Sequence, residues 1–263
     1  TTVGAGNFVF LLETNINDGH SGSTRPILGE SSGHSIIVDS KGVGKDSQFT
    51  VSPGGSFPAA VMACTSCHDG HGNANFRMLY GAGDVVQAGV ATFANAAPTA
   101  VGTGFSAEAP DNHTAYQDNM SGWCGNCHGT FHNTGSTFKH TTDTTVPGAM
   151  QTAYNLYNGT DDLTGGDPAT AYLTQVPFET PAMTTDSTAG MSDGATVMCM
   201  TCHRAHATSA PDAGRWDFAV TFLHEDGAES GSYQIPDPYA SDNQRSLCNK
   251  CHKKDAGDAP FAP

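Results

Sequence analysis

The five-residue word Cys-x-x-Cys-His is written four times in this chain and uses every cysteine it has. The copies are Cys64-Thr65-Ser66-Cys67-His68, Cys124-Gly125-Asn126-Cys127-His128, Cys199-Met200-Thr201-Cys202-His203 and Cys248-Asn249-Lys250-Cys251-His252. Two thiols three positions apart lie on one helical turn. There they can add to the two vinyl groups of a haem while the next histidine turns a ring nitrogen to the iron. Zinc ribbons and disulfide frameworks also use paired cysteines, but neither needs a histidine after every second one. The pattern reads as four covalently attached c-type haems, held through Cys64, Cys67, Cys124, Cys127, Cys199, Cys202, Cys248 and Cys251. His68, His128, His203 and His252 are then the proximal iron ligands.

Haem resolves a conflict in the composition. Leu, Ile, Val and Phe make up 41 of 263 residues, and Gly with Pro another 45. An apolar share below ~20 % marks chains that fail to collapse unaided. Each porphyrin brings an apolar disc to wrap, so haem contacts are expected to replace a conventional hydrophobic core, and the haem-free chain is not expected to fold. The expected fold is mostly coil with a few short α-helices and little β, wrapped around a chain of four haems. Gaps of 60, 75 and 49 residues between the first cysteines of successive words argue against tandem copies of a fixed repeat. The organisation expected is an N-terminal arm, 1–32, and one tetrahaem domain, 33–263.

With 11 Lys and Arg against 26 Asp and Glu, the formal charge of −15 excludes nucleic acid and anionic membrane surfaces as natural partners. Phe8-Val9-Phe10-Leu11-Leu12 is the longest strongly apolar stretch, far short of a membrane span. Haem of this type is attached on the oxidising side of the membrane, so export with removal of a leader is expected.

Local signals predict a short strand at Ser35–Val38, a turn at Pro53-Gly54-Gly55 and a helix from Pro58 into the first word. Residues 81–110 read as loop. Ser121 is the expected N-cap of the helix carrying the second word, and Ala149–Tyr157 a helix stopping at Gly159. Asp167-Pro168 should open a helix to Leu173, Val197–Ala207 should be helical, and Ser241 should cap the last haem helix.

Eight further histidines remain: His20, His34, His71, His113, His132, His140, His206 and His224. If every iron takes a second imidazole, no position is left open for a substrate, and the protein transfers electrons rather than acting as an enzyme. Met62, Met198 and Met200 sit within or just before haem words, where packing explains them better than ligation. His71 and His206 each follow a proximal histidine by three residues. From there a side chain cannot reach round its own porphyrin, but it can reach a neighbouring haem. With His20, His34, His132 and His140 they are the distal candidates, more than four irons need. His113 and His224 read as surface or supporting histidines.

Several stretches are similar to the outer-surface multihaem cytochromes that polymerise into extracellular electron-conducting filaments, the OmcS and OmcE type. They are Gly33-His34-Ser35-Ile36-Ile37-Val38, Pro53 to Pro58, Cys64 to Gly72 and Asn119 to His132. Leu156-Tyr157, Asp162 to Gly165, Ala171-Tyr172-Leu173, Pro177-Phe178-Glu179, Cys199 to Ala207 and Gln244 to Asp255 match as well. The count of four words is most like the tetrahaem OmcE branch. The resemblance implies haems stacked in alternating near-parallel and T-shaped pairs through identical head-to-tail subunits, with an N-terminal histidine ligating a haem of the next subunit. His20 best matches that role, although it follows no haem word, unlike the bridging histidine of the six-haem member.

The leading function is thus an extracellular filament carrying electrons from other multihaem cytochromes to metal oxides, electrodes or other cells. A soluble periplasmic tetrahaem shuttle is the alternative. An oxyanion reductase would need a haem with an open position.

Overall fold

So many glycines and prolines leave little room for sustained helix or strand. The computed structural model of the chain describes residues 4–13, 16–17, 26–27, 29–103, 107–131, 142–159, 165–218, 222–223, 238–239 and 244–252. Among these, three antiparallel strand pairs form: β1 (Ile16–Asn17) with β2 (Pro26–Ile27), β3 (Val85–Val86) with β4 (Ala91–Thr92), and β5 (Thr99–Val101) with β6 (Ala115–Asp118). Helices are α1 (Met120–Cys124), α2 (Gly148–Leu156) and α3 (Cys199–Cys202). The remainder is single 3-10 turns and coil, as expected for a haem-wrapping chain.

Helix ends are satisfied from a distance, and this positions the haem words. Glu179 Oε1 accepts the N–H of Met120 at the start of α1, 2.7 Å away, so a carboxylate sits at the end of the helix that bears the second word. At the other end of α2, Lys250 of the fourth word donates from Nζ to the carbonyl of Tyr154 at 2.7 Å, with the ammonium 4.4 Å from that ring's centre. This lysine is fully buried, and burial lowers its pKa to about 8.

The first described residues dock on the segment after the third word. Ala5 O accepts the N–H of His206 and Ala207 O that of Asn7, while Arg204 and Arg215 both donate to Gly4 O. Gly29 N bonds Glu13 O at 2.9 Å, so β1 and β2 rise from two points already held together. His20 lies outside the described residues, between those two strands in sequence.

In place of one conventional core, apolar side chains gather in several clusters among the described residues. The largest joins Tyr154, Tyr172, Phe178, Trp216, Leu223 and Leu247 near the third and fourth words. Another packs Phe57, Val86 and Phe93 against Trp123 and Cys127 of the second.

Several local expectations are corrected. Ser35–Val38 forms no strand: Val38 only bridges Val43 across a turn closed by left-handed Gly42 (φ 79°). The helix from Pro58 breaks into turns at Ala59–Val61 and Cys64–Ser66, because extended Met62 gives its carbonyl to Ile37 N. The stretch 81–110 contains β3, β4 and β5, which depend on pairings such as Val101 with Ala115 that no local signal carries. Asn119 (φ 66°), not Ser121, occupies the cap of α1; Ser121 Oγ accepts Cys199 N at 2.9 Å and ties the second word to the third. Asp167 does cap its helix, through Ala169 N, but that turn ends at Thr170. Val197–Ala207 is helical only over α3, since His203 and Ala207 are extended into bridges with Gly214 and Gly33. The last haem turn, Leu247–Lys250, starts after Ser246, and Ser241 lies outside the described residues. The turn at Pro53–Gly55 and the helix ending before Gly159 are as read.

Candidate functional site: four haem words and their histidines

Each word closes on itself in the same way. The backbone N–H of its histidine bonds the carbonyl of its first cysteine, at 3.0 Å for His68, His128 and His203 and 2.9 Å for His252. Both thiols and the imidazole therefore project from one turn. No disulfide joins the eight cysteines. Burial pushes the thiols of Cys67, Cys202 and Cys251 up to about 12.

The imidazoles are fixed through one ring nitrogen and leave the other available. Nδ1 meets Arg77 O at 2.8 Å in His68, Pro53 O at 2.7 Å in His128 and Asp212 O at 2.8 Å in His203. Bonding one nitrogen to a backbone carbonyl is how a protein sets the tautomer and aims Nε2 of a metal-ligating histidine. His34 carries the same mark, with Nδ1 2.6 Å from Ala205 O, and the ring of His206 bonds the backbone of Gly6. Burial lowers the pKa of His34, His128 and His203, and takes His206 to about 4, with His68 adding to the effect. Burial thus favours the neutral imidazole in all four, the form that binds a metal.

Two of the distal candidates face proximal histidines. His34 and His128 have ring centroids 5.9 Å apart, and His206 and His68 are 6.4 Å apart. Two imidazoles end-on to one iron, each at about 2 Å, put their ring centres on the order of 6 Å apart. The residues fit haem on this test: turn-mounted thiol pairs, oriented proximal rings and a second ring at axial spacing. His71 is exposed, and among the described residues its ring meets no second imidazole. His20, His132, His140 and His224 lie outside the described residues. His113 is buried, stacked on Tyr172 at 3.8 Å, with both ring nitrogens at carbonyls (Thr114 and Ser187), which leaves neither for a metal.

The first and third words share a longer design that their spacing conceals. Nine residues after His68 and after His203, a left-handed residue, Arg77 (φ 53°) or Asp212 (φ 57°), presents the carbonyl that holds Nδ1. Asp69 N bonds Met78 O and Arg204 N bonds Ala213 O; Tyr80 N bonds Cys67 O and Arg215 N bonds Cys202 O. In this register His71 and His206 are equivalent. Cys-His-x-x-His in both words was the only sequence signal of it.

Cysteines of different words lie near enough to act on one another. Cys124 and Cys199 share a hydrogen bond that raises the pKa of Cys124 well above its ordinary value. Cys67 feels Cys127, and Cys202 feels Cys248 and Cys251.

No protein-family model matches the chain. The C-type cytochrome OmcS of Geobacter sulfurreducens (strain ATCC 51573 / DSM 12127 / PCA) is 31% identical over an alignment of 304 residues, covering 86% of this chain and 70% of that protein. This chain belongs to the OmcS family of multihaem c-type cytochrome nanowires. Solved OmcS structures agree with that membership. A cryo-EM structure of OmcS nanowires matches with a TM-score of 0.81 at 26% identity, over 97% of this chain and 81% of the other. A structure of the outer membrane cytochrome S filament, also from Geobacter sulfurreducens, matches with a TM-score of 0.78 at 25% identity, over 95% and 80%. No helix among the described residues of this OmcS-family chain is long and apolar enough to cross a membrane.

Proposed function

We propose that the chain carries four c-type haems, one per word, and polymerises head-to-tail outside the cell into a filament that conducts electrons to external acceptors. The observation that carries this reading is the facing of His34 with His128 and of His206 with His68 at axial spacing. Each haem supplies an iron centre that takes and gives single electrons. His34 with His128 and His206 with His68 would close both faces of two of those irons and leave no position there for a substrate, which supports an electron carrier rather than an enzyme. The closeness of Cys124 to Cys199, and the charge effect of Cys127 on Cys67 and of Cys248 and Cys251 on Cys202, support a haem order that follows the sequence. Multihaem cytochromes are the donors, and metal oxides or electrodes the acceptors, that the family resemblance implies.

His34→Ala is expected to keep four covalent haems and turn one of them high-spin and CO-binding. A fully low-spin spectrum would remove His34 from the ligand set.

A head-to-tail contact without rotational closure yields an open filament, and an axial ligand donated between subunits would hold so acidic a chain against its own repulsion. His20, in the 1–32 segment, is the proposed donor. The equivalence of His71 with His206 favours a second reading: His206 reaches from the third word to the first haem, and His71 would reach likewise into a neighbouring subunit. Negative-stain microscopy of the wild type, His20→Ala and His71→Ala tests both. Filaments are expected from the wild type, and monomers from the variant that lost the bridge. Wild-type monomers with four low-spin haems would replace the conduit by the soluble shuttle.

A further inference from the structure

We propose that Glu179 is a redox-linked proton site, which binds a proton when electrons enter the haems carried by the second and third words. The inference rests on the haem loading proposed above and adds proton uptake to electron transfer.

The carboxyl lies where those two words meet. It is 2 % exposed. Oε1 accepts the N–H of Met120, which opens the helix ending in Cys124, and Oε2 accepts from Thr196 Oγ1 at 3.3 Å, three residues before Cys199. Backbone bonds in both directions between Glu179 and Thr196 fix the side chain there. Its charge reaches Cys124, which lies close to Cys199, so the carboxyl stands near the attachment points of both haems. The charged groups acting on it are acidic: Asp118 on β6 and Asp143 in the segment before α2, both exposed. Asp143 acts on Cys199 as well. Burial first, and these two carboxylates after it, raise the pKa of Glu179 to about 7, against the bond from Met120 N.

A buried acid poised there responds to the charge of the iron beside it. One electron turns ferric to ferrous and removes one positive charge; one proton from water then converts the Glu179 carboxylate to the acid, and the only bond made is O–H. The sign follows. As pH rises through about 7 the carboxylate accumulates, negative charge opposes reduction, and the potential falls.

Spectroelectrochemical titration of the full holoprotein between about pH 5.5 and 9 tests this. The wild type is expected to lose potential with rising pH on at least one haem. Glu179→Gln keeps an acceptor for Met120 N and should match the wild type at the acid end, lie above it at the alkaline end and lose the slope. A wild-type slope in Glu179→Gln overturns the proposal and assigns the protons to haem propionates. Should that variant not fold, the infrared redox difference spectrum of the wild type near pH 7 decides. A protonated-carboxyl band gained on reduction is expected, and its absence overturns the site. Haem stoichiometry keeps the two readings apart. Four haems with a wild-type slope remove the proton site alone, whereas a chain lacking haem at the second or third word removes the loading beneath it.

Discussion

Arg215→Met is expected to destabilise the folded chain by about 3–5 kcal/mol, the scale of removing a buried, hydrogen-bonded charge. Arg215 is 3 % exposed, and its guanidinium serves four backbone carbonyls. Nε donates to Met200 O at 2.6 Å and His203 O at 3.2 Å, Nη1 to Thr174 O at 3.1 Å and Nη2 to Gly4 O at 3.3 Å. Those acceptors belong to the third haem word, the coil after α2 and the N-terminal segment, so one planar fork ties three stretches that share no secondary structure. Met fills much of the volume but leaves all four carbonyls without this donor. Arg215→Lys restores the charge without the fork and should recover only part of the loss. Guanidinium unfolding followed through the haem absorbance gives the midpoint shift, and limited proteolysis near residue 4 reports release of the N-terminal segment. A midpoint within experimental error of wild type would mean that the N-terminal docking and the Thr174 contact contribute little.

The chemistry of this chain was legible in its sequence because covalent attachment dictates it: Cys-x-x-Cys-His has one strong reading, and the scarcity of Leu, Ile, Val and Phe agreed with it. His34 and His206 were among the distal candidates by type and position, yet nothing local distinguished them from His71, because facing His128 or His68 depends on contacts spanning 94 and 138 residues of chain. Helix limits failed for a related reason. The sequence reading extended α3 to Ala207, but His203 must leave the helix so that Asp212 O can hold its ring and the segment behind it can accept the N-terminal segment. Capping residues failed where side chains were used elsewhere, as Ser121 is by Cys199 N. Among the buried charges, Glu179, Arg215 and Lys250 left no sequence signal at all, because the groups that satisfy them come from remote segments. His113 shows the opposite case. A histidine with no distinguishing context proved to be buried on Tyr172 with both nitrogens engaged.

With one haem per word, as proposed, loss of the third should cost the whole fold, whereas loss of the first should not. Its word is the junction of the structure. It meets the second word where Cys199 lies close to Cys124 and its amide donates to Ser121 Oγ, and the fourth where Cys202 lies within reach of Cys248 and Cys251. Through His206 it faces His68 of the first, and through Arg204, His206 and Ala207 it binds the N-terminal segment. The first word sits nearer the margin: its cysteines include exposed Cys64, and among the described residues it approaches other words where Cys67 feels Cys127 and where His68 faces His206. A chain this poor in aliphatic residues has little apolar surface with which to fill the space of a missing porphyrin. Cys199→Ala with Cys202→Ala is therefore expected to abolish accumulation of haem-loaded protein in exported fractions. Cys64→Ala with Cys67→Ala should yield a folded chain of three haems, with His206 left without the iron proposed for it. Haem stain and mass of the secreted protein read both outcomes. Recovery of a stable three-haem species from the third-word variant would show that the four attachment sites fold independently, and that the contacts between cysteines follow haem packing rather than hold it.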